Sequence, residues 1–489
     1  MSTGEAAGHL LVIGGQRVEA AESAWYEVPS PVDGMAYGRL ARAGVADVER
    51  AVSSARAAFE ANLQKSPFER ADWCHAAAGI LASRSAALAD LLCREHGKPR
   101  AQASAEIVSA AEGLRLAAEE AKRLGGRTIP VRDAGKLVLT VRKPRGVFAA
   151  ITPFNFPANI PVEYLGPLIA NGNAVIWKPA PTTSGIASAL VECLQDGGVP
   201  AGLVSLLTGP DLAPAQALVS HPGVDGVCFT GSSAAGAAIA TLAAGKAQLM
   251  ELGGNGPIVV LADADLGLAA RMCAAASFWN SGQSCAAAGR ILVASSVRDD
   301  FVARLVEQAR AEVVGSPFAA STTMGPVHTA AIGQTMRRHI DDALSRGARV
   351  LHGGAPLPGR LTELYWPPTV LADVPAGAAL QREETFGPLA PVTAVDGDLD
   401  DMVRTANTGE LGLSAAVFGR DIDRTLSVAG RLRAGQVVIN DTSNYWELHM
   451  PFGGAPGRKS GSGRLGGRHA AEAVTEIQSI TITLVHDWR

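Results

Sequence analysis

The chain is arranged around two runs of sequence, Met250–Leu266 (MELGGNGPIVVLADADL) and Phe278–Arg290 (FWNSGQSCAAAGR). In the first run, Glu251 stands beside a glycine pair, and the apolar segment PIVVLADA predicts a short strand that ends in a turn. In the second run, Cys285 follows a Gly-Gln-Ser turn, 34 residues after Glu251. A carboxylate and a thiol on glycine-containing turns indicate a nucleophile and its general base, brought together by the fold.

Short apolar strands and helical segments alternate on both sides of these runs. Before them lie GVFAAITP, NAVIWKP, LVSLLTG and GVCFTG, and after them RILVAS, ARVLHGG, PPTVLADV, LSAAVFG and GQVVIN. This alternation predicts parallel sheets with crossover helices, and residues 257–440 are expected to form a second α/β domain. Because ligands of open α/β sheets bind beyond the carboxyl ends of the strands, the site is expected at the turns that follow them.

The first third of the chain combines a few strands with a long helical tract. Residues 10–38 alternate apolar runs with turn residues, which suggests strands. Three- and four-residue apolar spacing then predicts amphipathic helices over 47–61, 68–83, 85–96 and 101–124. Residues 127–145 alternate apolar and charged residues around Asp133-Ala134-Gly135, which predicts a hairpin. It either docks on another sheet or subunit or remains a solvated surface hairpin. A short helix and an apolar strand over 477–484 are expected near the end.

The composition limits the class of function. With 489 residues, 47% of them hydrophobic and 18% charged, the chain is expected to be a soluble globular protein of two or more domains. A formal charge of -4 provides no basic surface, so a nucleic-acid partner is not expected. No apolar run reaches the roughly 18 residues of a membrane span, and the N-terminus lacks the features of a secretory signal. The six cysteines are scattered, which favours reduced thiols and a cytoplasmic protein. The sequence has no HExxH or CxxC spacing, so no metal site is expected.

Two further turns have residues suited to chemistry. Gly231 and Ser232 follow the strand GVCFT and open a helical segment, where backbone N–H groups and the serine hydroxyl could hold a pyrophosphate. Many strand-to-helix turns contain Gly-Ser, so this signal is weak alone. Asn155, between aromatic residues and prolines in PFNFP, offers a rigid N–H donor for an oxyanion hole. Taken by itself, an ordinary turn asparagine is the favoured explanation, just as a lone Cys285 is more often inert than catalytic.

Taken together and in order, these motifs make the chain resemble the aldehyde dehydrogenase superfamily, and somewhat the benzaldehyde and vanillin dehydrogenase branch. The resemblance covers roughly residues 10–485. The motifs that carry it are EHGKP, PFNFP, WKPA, FTGSSAAG, MELGGNGP, GQSC with Arg290, EETFGP, LGLSAAVF, and PFGG with SGSGR.

The resemblance implies an α/β fold with a Rossmann-like nucleotide-binding domain, an α/β catalytic domain and a small β oligomerisation element. The expected boundaries are 1–125 with 146–250 for the nucleotide-binding domain, 251–455 for the catalytic domain, and 126–145 with 470–489 for the oligomerisation element. A homodimer or homotetramer is the assembly that the family implies.

The resemblance also implies a mechanism and a cofactor, NAD or NADP. Cys285, as thiolate, attacks the aldehyde carbon, and the oxyanion is held by the Asn155 amide and the Cys285 backbone N–H. Hydride transfer leaves a thioester, which water activated by Glu251 hydrolyses. Branches that release an acyl-CoA commonly lack this base, so a free carboxylic acid is expected. The implied cofactor contacts are Thr152, Pro153, Lys178, Gly231, Ser232, Gly253, Glu384 and Phe386.

One position departs from the pattern of relatives that prefer NAD. They often have a Glu three residues after the Lys of the WKPA-like motif, where it binds the adenosine ribose hydroxyls. Here Pro181 occupies that position. A proline side chain accepts no hydrogen bond and does not repel a 2'-phosphate, with which Lys178 can pair. We therefore predict that NADP is accepted as the cofactor. The same features also suggest a preference for NADP over NAD.

The substrate is expected to contact the loop 440–449, NDTSNYWELH, which leads into PFGG. In the family this region helps to line the substrate tunnel, and its length and its Glu-x-His pattern are similar to benzaldehyde and vanillin dehydrogenases. Tyr445, Trp446 and Phe154 would suit a flat or apolar aldehyde. The two loop aromatics can equally be packing residues.

Charge gives a second indication about the substrate. Glu163 lies near PFNFP, and the candidate tunnel loops contain no Arg, so a strongly anionic aldehyde has no evident anchor. Some short hydroxyaldehyde and semialdehyde dehydrogenases have a similar HMPFGG ending, which keeps such substrates as an alternative. A reductive or CoA-acylating enzyme would keep Cys285 without needing Glu251. A non-catalytic binding or structural protein on the same fold is the alternative of another class.

Overall fold

The computed structural model describes residues 8–484. In chain order the strands are β1 (Gly8–His9), β2 (Leu11–Ile13), β3 (Gln16–Val18), β4 (Trp25–Pro29), β5 (Ala36–Ala41), β6 (Thr128–Ile129), β7 (Lys136–Pro144), β8 (Val147–Ile151), β9 (Ala174–Lys178), β10 (Val204–Leu206), β11 (Gly226–Thr230), β12 (Ala247–Glu251), β13 (Gly256–Val260), β14 (Ala288–Ala294), β15 (Arg349–His352), β16 (Thr369–Ala372), β17 (Leu389–Val395), β18 (Ser414–Phe418), β19 (Gln436–Ile439), β20 (Gly461–Ser462) and β21 (Thr475–Thr483).

The helices confirm the amphipathic tract and the alternation that follows it. They are α1 (Val45–Asn62), α2 (Pro67–Ser83), α3 (Ser85–His96), α4 (Arg100–Arg123), α5 (Asn159–Ala170), α6 (Ser184–Asp196), α7 (Leu212–Ser220), α8 (Ser233–Leu242), α9 (Leu266–Phe278), α10 (Arg298–Ala311), α11 (Ala330–Ser345), α12 (Leu399–Ala406), α13 (Ile422–Ala429) and α14 (Gly467–Ala473). Their ends follow local chemistry. Ser66 and Glu69 form a capping box at the start of α2, and Gly97, with φ +90°, ends α3 in the left-handed conformation.

The first large sheet has eight strands in the order β20-β12-β11-β8-β9-β10-β2-β3. The five central strands are parallel, as predicted, and β20, β2 and β3 are antiparallel additions at the edges. Strands β9 and β11 are fully buried, as expected where helices cover both faces of a parallel sheet. Strand β20 comes from far downstream and pairs Gly461 with Glu251. The end of β12 is therefore fixed by residues that the chain reaches only near its end.

The second large sheet has seven strands in the order β15-β16-β17-β14-β13-β18-β19. All neighbours are parallel except β15 with β16. The strands expected after residue 257 are present, but β17 was not indicated by the sequence. Pro391 lies inside β17, where it cannot donate a ladder hydrogen bond, and it interrupts the β-branched run that marks the other strands.

A small third sheet has the order β21-β7-β6. The predicted hairpin is confirmed by the antiparallel pairing of β6 with β7, and β21 pairs along the whole of β7, from Thr475 with Pro144 to Thr483 with Lys136. The hairpin therefore docks on the last strand of its own chain. Eight of the nine residues of β21 are exposed.

Two features of the described residues bear on the function classes considered above. Between residues 8 and 484, no single helix is long and apolar enough to cross a membrane. Helices α2 and α3 meet the length and composition test only as a pair that is bent by 72°. Within the same residues, no three His, Cys, Asp or Glu side chains are grouped as metal ligands.

Candidate active site

The turns with the expected chemistry lie at the carboxyl ends of neighbouring strands of the first large sheet. Asn155 follows β8, Ser232 follows β11, and Glu251 is the last residue of β12. Since these strands are parallel neighbours, their carboxyl ends open on the same side. Cys285 precedes β14 of the second large sheet, and its carbonyl oxygen lies 1.9 Å from the point that a Cβ on Gly254 would occupy. Only glycine at that position allows the thiol loop to pack so close to the loop after Glu251.

The segment before Cys285 is a left-handed turn. Residues 280–282 all have positive φ, 52°, 56° and 71°. A non-glycine residue in this region costs roughly 1–3 kcal/mol and persists only where its surroundings fix it. Here the buried Gln283 side chain donates to the Asn280 carbonyl at 2.9 Å and accepts the His328 backbone N–H at 2.8 Å. The thiol is therefore presented by a strained loop that its hydrogen bonds hold in place.

Asn155 is buried, 2% exposed, and fixed from two directions. Its Nδ2 atom donates to the Gln283 backbone carbonyl at 3.1 Å, which places the amide beside the thiol loop. Its own carbonyl accepts from Lys98 Nζ at 2.9 Å and from Asn280 Nδ2 at 3.0 Å. One amide N–H is used by Gln283, and no partner for the second is found within residues 8–484, although Asn155 is not among the residues that line the cavity beside Cys285. This is the rigidity that an oxyanion donor needs.

Glu251 is 2% exposed, and within residues 8–484 neither of its carboxylate oxygens has a hydrogen-bond partner. Burial raises its pKa well above the usual value, the cation of Arg464 lowers it, and the carboxyl of Glu163 raises it further. A buried carboxyl with an elevated pKa is suited to accept a proton from water near neutral pH. Arg464 approaches across Gly453, whose absent side chain would contact Glu251 Oε1 at 2.8 Å and the Arg464 guanidinium at 3.0 Å.

Cys285 and Glu251 line one cavity, with a volume of about 120 Å³. The remaining lining residues are mostly apolar or aromatic, and they are Phe156, Asn159, Ile160, Glu163, Thr230, Trp279, Ser284, Ala286, Asn444, Trp446, Phe452 and Leu465. Burial raises the pKa of the Cys285 thiol, and the carboxyls of Glu384 and Glu251 raise it further.

A second cleft, of about 280 Å³, lies on the other side of Thr230, which lines both spaces. Thr152, Lys178 and Pro181 line this cleft, whereas the predicted contact Pro153 is not on its wall. Lys178 Nζ donates to the Gly209 carbonyl at 2.7 Å, and burial lowers its pKa to about 8.

The start of α8 opens on the same cleft through Ala235. Ser232 caps this helix, with its Oγ accepting the Ala235 N–H at 3.2 Å. The Gly231 N–H, expected to hold phosphate, instead donates to the Glu251 carbonyl at 3.1 Å. It is engaged because β11 and β12 continue their ladder one residue beyond Thr230, so an anion at this point would rely on Ser232 and the helix start.

The remaining expected cofactor residues meet near the thiol loop. Glu384 Oε1 accepts the Gly254 N–H at 2.9 Å, and its pKa is raised to about 7 by burial. A Cβ on Gly253 would lie 3.0 Å from Glu384 Oε2, so the glycine keeps space beside that carboxyl. Phe386 has a φ of +59° and meets Phe154 edge to face, 5.8 Å between ring centroids. An amine at one end, a helix N-terminus in the middle and a carboxyl acceptor at the other end fit a dinucleotide with hydroxyl-bearing riboses.

Comparison with known proteins agrees with this geometry. A family model described as "Aldehyde dehydrogenase family" matches residues 18–480. The chain belongs to the aldehyde dehydrogenase family. It is 36% identical to the succinate-semialdehyde dehydrogenase [NADP(+)] of Escherichia coli (strain K12), over 97% of each chain. It is 34% identical to the vanillin dehydrogenase of Pseudomonas fluorescens, over 96% of this chain and 97% of that one.

A solved structure described as an NADP dependent enzyme of E. coli has a TM-score of 0.94 and 36% identity, and 98% of each chain is covered. The aldehyde dehydrogenase fold expected from the motifs is thereby confirmed. The protein is an aldehyde dehydrogenase, an oxidoreductase that uses NAD or NADP.

Two of the four predicted substrate residues of this aldehyde dehydrogenase lie outside the cavity. Glu163 and Trp446 line it, but Phe154 and Tyr445 do not. Phe154 turns the other way and stacks on His328, 4.5 Å between ring centroids and nearly parallel. Tyr445 is 42% exposed, and its hydroxyl donates to Glu447 at 2.7 Å. Neither residue lines this cavity, because a motif gives the position of a residue on the chain but not the direction of its side chain; their contact with the substrate stays a prediction.

The sequence reasoning missed several lining aromatics of the dehydrogenase. Phe156 and Trp279 stack on each other, 5.1 Å between ring centroids, and Phe452 lies 5.8 Å from Trp446. A signal for them existed, because each lies inside or beside a quoted motif: Phe156 in PFNFP, Trp279 before GQSC, and Phe452 in PFGG. Their proximity to the catalytic motifs was the usable indication.

Proposed function

We propose that this aldehyde dehydrogenase oxidises an aromatic or apolar aldehyde to the free carboxylic acid, through a thioester on Cys285. The main support for this proposal is the composition of the cavity wall. Four aromatic side chains line it, and no Lys or Arg of the described residues does. Aromatic side chains bind flat apolar groups by burial and by stacked or edge-to-face contacts. The volume, about 120 Å³, is comparable with the ~150 Å³ of an engineered apolar cavity that binds benzene, so one aromatic ring is the expected size.

In the first half of the reaction, the loop that carries Cys285 supplies the nucleophile. The thiolate form of Cys285 attacks the aldehyde carbon, and the carbonyl oxygen becomes an oxyanion. The second Asn155 amide N–H and the Cys285 backbone N–H bind that oxyanion where the charge develops. When bound in the neighbouring cleft, oxidised NAD or NADP supplies the hydride acceptor.

In the second half of the reaction, Glu251 acts as the general base. Its carboxylate takes a proton from water, the oxygen of that water attacks the thioester carbon, and the carbon–sulfur bond breaks to release the acid. Glu251 has no other hydrogen-bond partner within residues 8–484, so it can orient a water in the cavity. A base of this kind contributes typically ~10²–10⁴-fold. Because Glu251 is present and faces the cavity, water rather than a CoA thiol is the proposed acceptor.

The alternative, a short semialdehyde or hydroxyaldehyde as substrate, has support from several relatives, which are named for succinate, glutarate and alpha-ketoglutaric semialdehyde and for 3-sulfolactaldehyde. Succinate semialdehyde has a carboxylate beside the aldehyde. In this cavity its charged end would lie among aromatic rings and near two carboxyls, Glu163 and Glu251, without a compensating cation. Burying an unpaired charge is costly, which favours a neutral substrate.

The test is the absorbance of reduced nicotinamide, measured with a panel of benzaldehydes, short aliphatic aldehydes and semialdehydes in the absence of CoA. The expected order of kcat/KM is benzaldehydes above aliphatic aldehydes above succinate semialdehyde, and Cys285→Ala is expected to abolish turnover. The reverse order would overturn the substrate assignment. A fully active Cys285→Ala variant would overturn the mechanism.

We also propose that the enzyme prefers NADP as its cofactor. Pro181 lines the cleft together with Lys178, and it provides neither a carboxylate to bind ribose hydroxyls nor a charge to repel a phosphate. Asp211, a carboxyl in the same cleft that acts electrostatically on Lys178, is paired with the Arg42 guanidinium. Both points support NADP as an accepted and preferred cofactor.

The proposed assembly is a homodimer or homotetramer built through the third sheet. Strand β21 is a nine-residue edge strand, and it exposes Ile477, Ile480 and Ile482. A long apolar edge strand is a template for pairing with another chain. Sedimentation equilibrium of wild type and Ile480→Lys tests this, and a wild-type monomer at micromolar concentration would contradict it.

A further inference from the structure

We propose that Glu163 is a specificity-determining residue that binds a hydroxyl group on the substrate, so that the preferred aldehydes are hydroxylated aromatic aldehydes. This inference rests on the proposed function, in which an aromatic ring occupies the cavity. It adds a polar contact to a site that is otherwise apolar, and it predicts which ring substituent is favoured.

The carboxyl of Glu163 stands in the cavity wall, among aromatic neighbours. It belongs to the helix α5, and it lines the same cavity as Cys285, with Phe156, Trp279 and Trp446 as the aromatic neighbours. One oxygen, Oε1, accepts a hydrogen bond from Asn159 Nδ2, one helical turn earlier. No partner for Oε2 is found within residues 8–484, and the cavity gives a substrate access to this carboxyl. A carboxyl in an apolar wall is costly to bury unless it gains a hydrogen bond from something that enters.

A chain of hydrogen bonds behind the cavity wall fixes the orientation of the Glu163 carboxyl. Ser109 Oγ, on α4, donates to Asn159 Oδ1 at 2.8 Å, which directs the Asn159 amide N–H toward Glu163. This chain fixes one oxygen of the carboxyl before a substrate arrives. A pre-organised acceptor loses little conformational freedom on binding, so its hydrogen bond discriminates well between substrates.

The chemistry of the surroundings decides which substituent fits. The charged groups that face Glu163 are acidic: Glu106 raises its pKa, and Glu163 in turn raises that of Glu251. Lys98 is already paired with Glu106. Burial is the main cause that raises the pKa of Glu163 well above the usual value, which favours the neutral acid. A neutral carboxyl both donates and accepts, which matches a hydroxyl, whereas an anionic substituent would meet two carboxyls and no cation.

The experiment compares kcat/KM for substituted benzaldehydes in wild type, Glu163→Gln and Glu163→Leu. The probes are benzaldehyde, meta- and para-hydroxybenzaldehyde, para-carboxybenzaldehyde and para-(aminomethyl)benzaldehyde. In wild type, the better hydroxybenzaldehyde is expected to exceed benzaldehyde by roughly tenfold, the value of one well-made buried hydrogen bond. Glu163→Leu should bring that ratio to about one, and Glu163→Gln, which keeps an acceptor and a donor, should retain most of it.

The ratio between substrates separates recognition from stability, because a merely structural role would lower both rates together. Ser109→Ala leaves the cavity wall intact and removes only the hydrogen bond to Asn159 behind it, so it should reduce the ratio partly. An unchanged ratio in Glu163→Leu would overturn the inference, as would a wild-type preference for the aminomethyl or carboxy compound. If wild type oxidises no benzaldehyde at all, the proposed function fails. If it oxidises benzaldehyde without regard to the hydroxyl, only the role of Glu163 fails.

Discussion

The Nζ atom of Lys98 donates a hydrogen bond to the backbone carbonyl of Asn155 at 2.9 Å. Both residues are buried, and Lys98 also forms an internal ion pair with Glu106. The Glu106 carboxylate in turn accepts the backbone N–H of Ala158 at 2.8 Å, next to the start of α5. Lys98 of the EHGKP motif therefore holds the turn that carries Asn155, the proposed oxyanion donor.

Replacing Lys98 by Met should damage both stability and catalysis. It leaves the Glu106 carboxylate without its partner in the interior, which typically costs about 3–5 kcal/mol of unfolding free energy. It also releases the Asn155 turn, so kcat should fall by up to about 10²-fold. Urea unfolding and steady-state kinetics measure the two effects. Lys65→Met breaks an exposed ion pair with Glu69 and serves as the control, with a loss of no more than about 1 kcal/mol. Equal effects of the two substitutions would contradict the role of Lys98.

Gly254→Ala should be severely damaging, because the new Cβ would lie 1.9 Å from the Cys285 carbonyl. The thiol loop would have to move, and overpacking of this kind typically costs about 1–3 kcal/mol or more. Gly79→Ala is the matched control: it lies within α2, nothing is within 4 Å of its Cβ position, and alanine should stabilise the helix by roughly 0.5–1 kcal/mol. Thermal unfolding and turnover of both variants test this. Normal turnover in Gly254→Ala would show that the two loops do not need their close approach.

Glu251→Gln should separate the two halves of the reaction. The amide cannot take a proton from water, so steady-state turnover should fall by about 10²–10⁴-fold. Formation of the thioester on Cys285 does not need this base, so a first burst of reduced nicotinamide should remain. Rapid-mixing absorbance and intact-protein mass spectrometry would detect the burst and the acyl-enzyme. A slow reaction without a burst would place Glu251 before hydride transfer instead.

Pro181→Glu should shift the cofactor preference from NADP toward NAD. The added carboxylate can accept hydrogen bonds from ribose hydroxyls and repels a 2'-phosphate, so kcat/KM for NADP should fall by about tenfold or more, equivalent to ~1.4 kcal/mol. Pro181→Gln removes the ring without adding charge and is the control. If both variants lose NADP activity equally, the shape of the proline, not charge, determines the preference.

Stability should decline as the pH rises through neutrality. Burial raises the pKa of Glu95 to about 7 from the usual 4.5, although its oxygens accept the N–H groups of Gly185 and Ile186 at 2.7 and 2.9 Å. The folded chain therefore holds this proton more tightly than the unfolded chain. The resulting stability is present below the unfolded pKa and is lost as the pH rises through the folded value. The pKa of Glu384 is raised in the same direction.

The measurement for this prediction is urea unfolding between about pH 5 and about pH 8. Glu95→Gln is expected to be less stable overall, because its amide cannot accept both N–H groups, but to show a shallower dependence on pH. The same slope in wild type and variant would remove Glu95 as a source of the pH dependence.

The sequence predicted the parts of the fold that depend on local pattern. The parallel strands around β8 and β13 are apolar runs that end in Pro or Gly, and α1 to α4 show regular apolar spacing, so these elements could be recognised directly. Strand β17 could not be recognised, because Pro391 interrupts its apolar pattern. The pairing of β20 with β12 could not be predicted either, because β20 consists of two residues that carry no strand signal.

The candidate site also has features that the sequence could predict and features that it could not. That Cys285 and Glu251 lie together could be predicted from the motifs around them, and both line one cavity; their catalytic roles stay predictions. The direction of a ring could not be predicted, since Phe154 and Phe156 occupy the same motif and only tertiary packing turns one toward His328 and the other into the cavity. The engagement of the Gly231 N–H with Glu251 was equally invisible, because it depends on the register of two strands.

The pairing of Gly461 with Glu251 has a consequence for the order in which a newly synthesised chain becomes reactive. The nucleophile and the base are translated well before the strand that flanks the base and before Leu465, which closes the cavity. At synthesis rates of about 5–20 residues per second, the interval is on the order of ten seconds or more. During that time a nascent chain has Cys285 but no finished cavity around it. The cavity around Cys285 is therefore completed only after the residues near position 465 have been synthesised and packed.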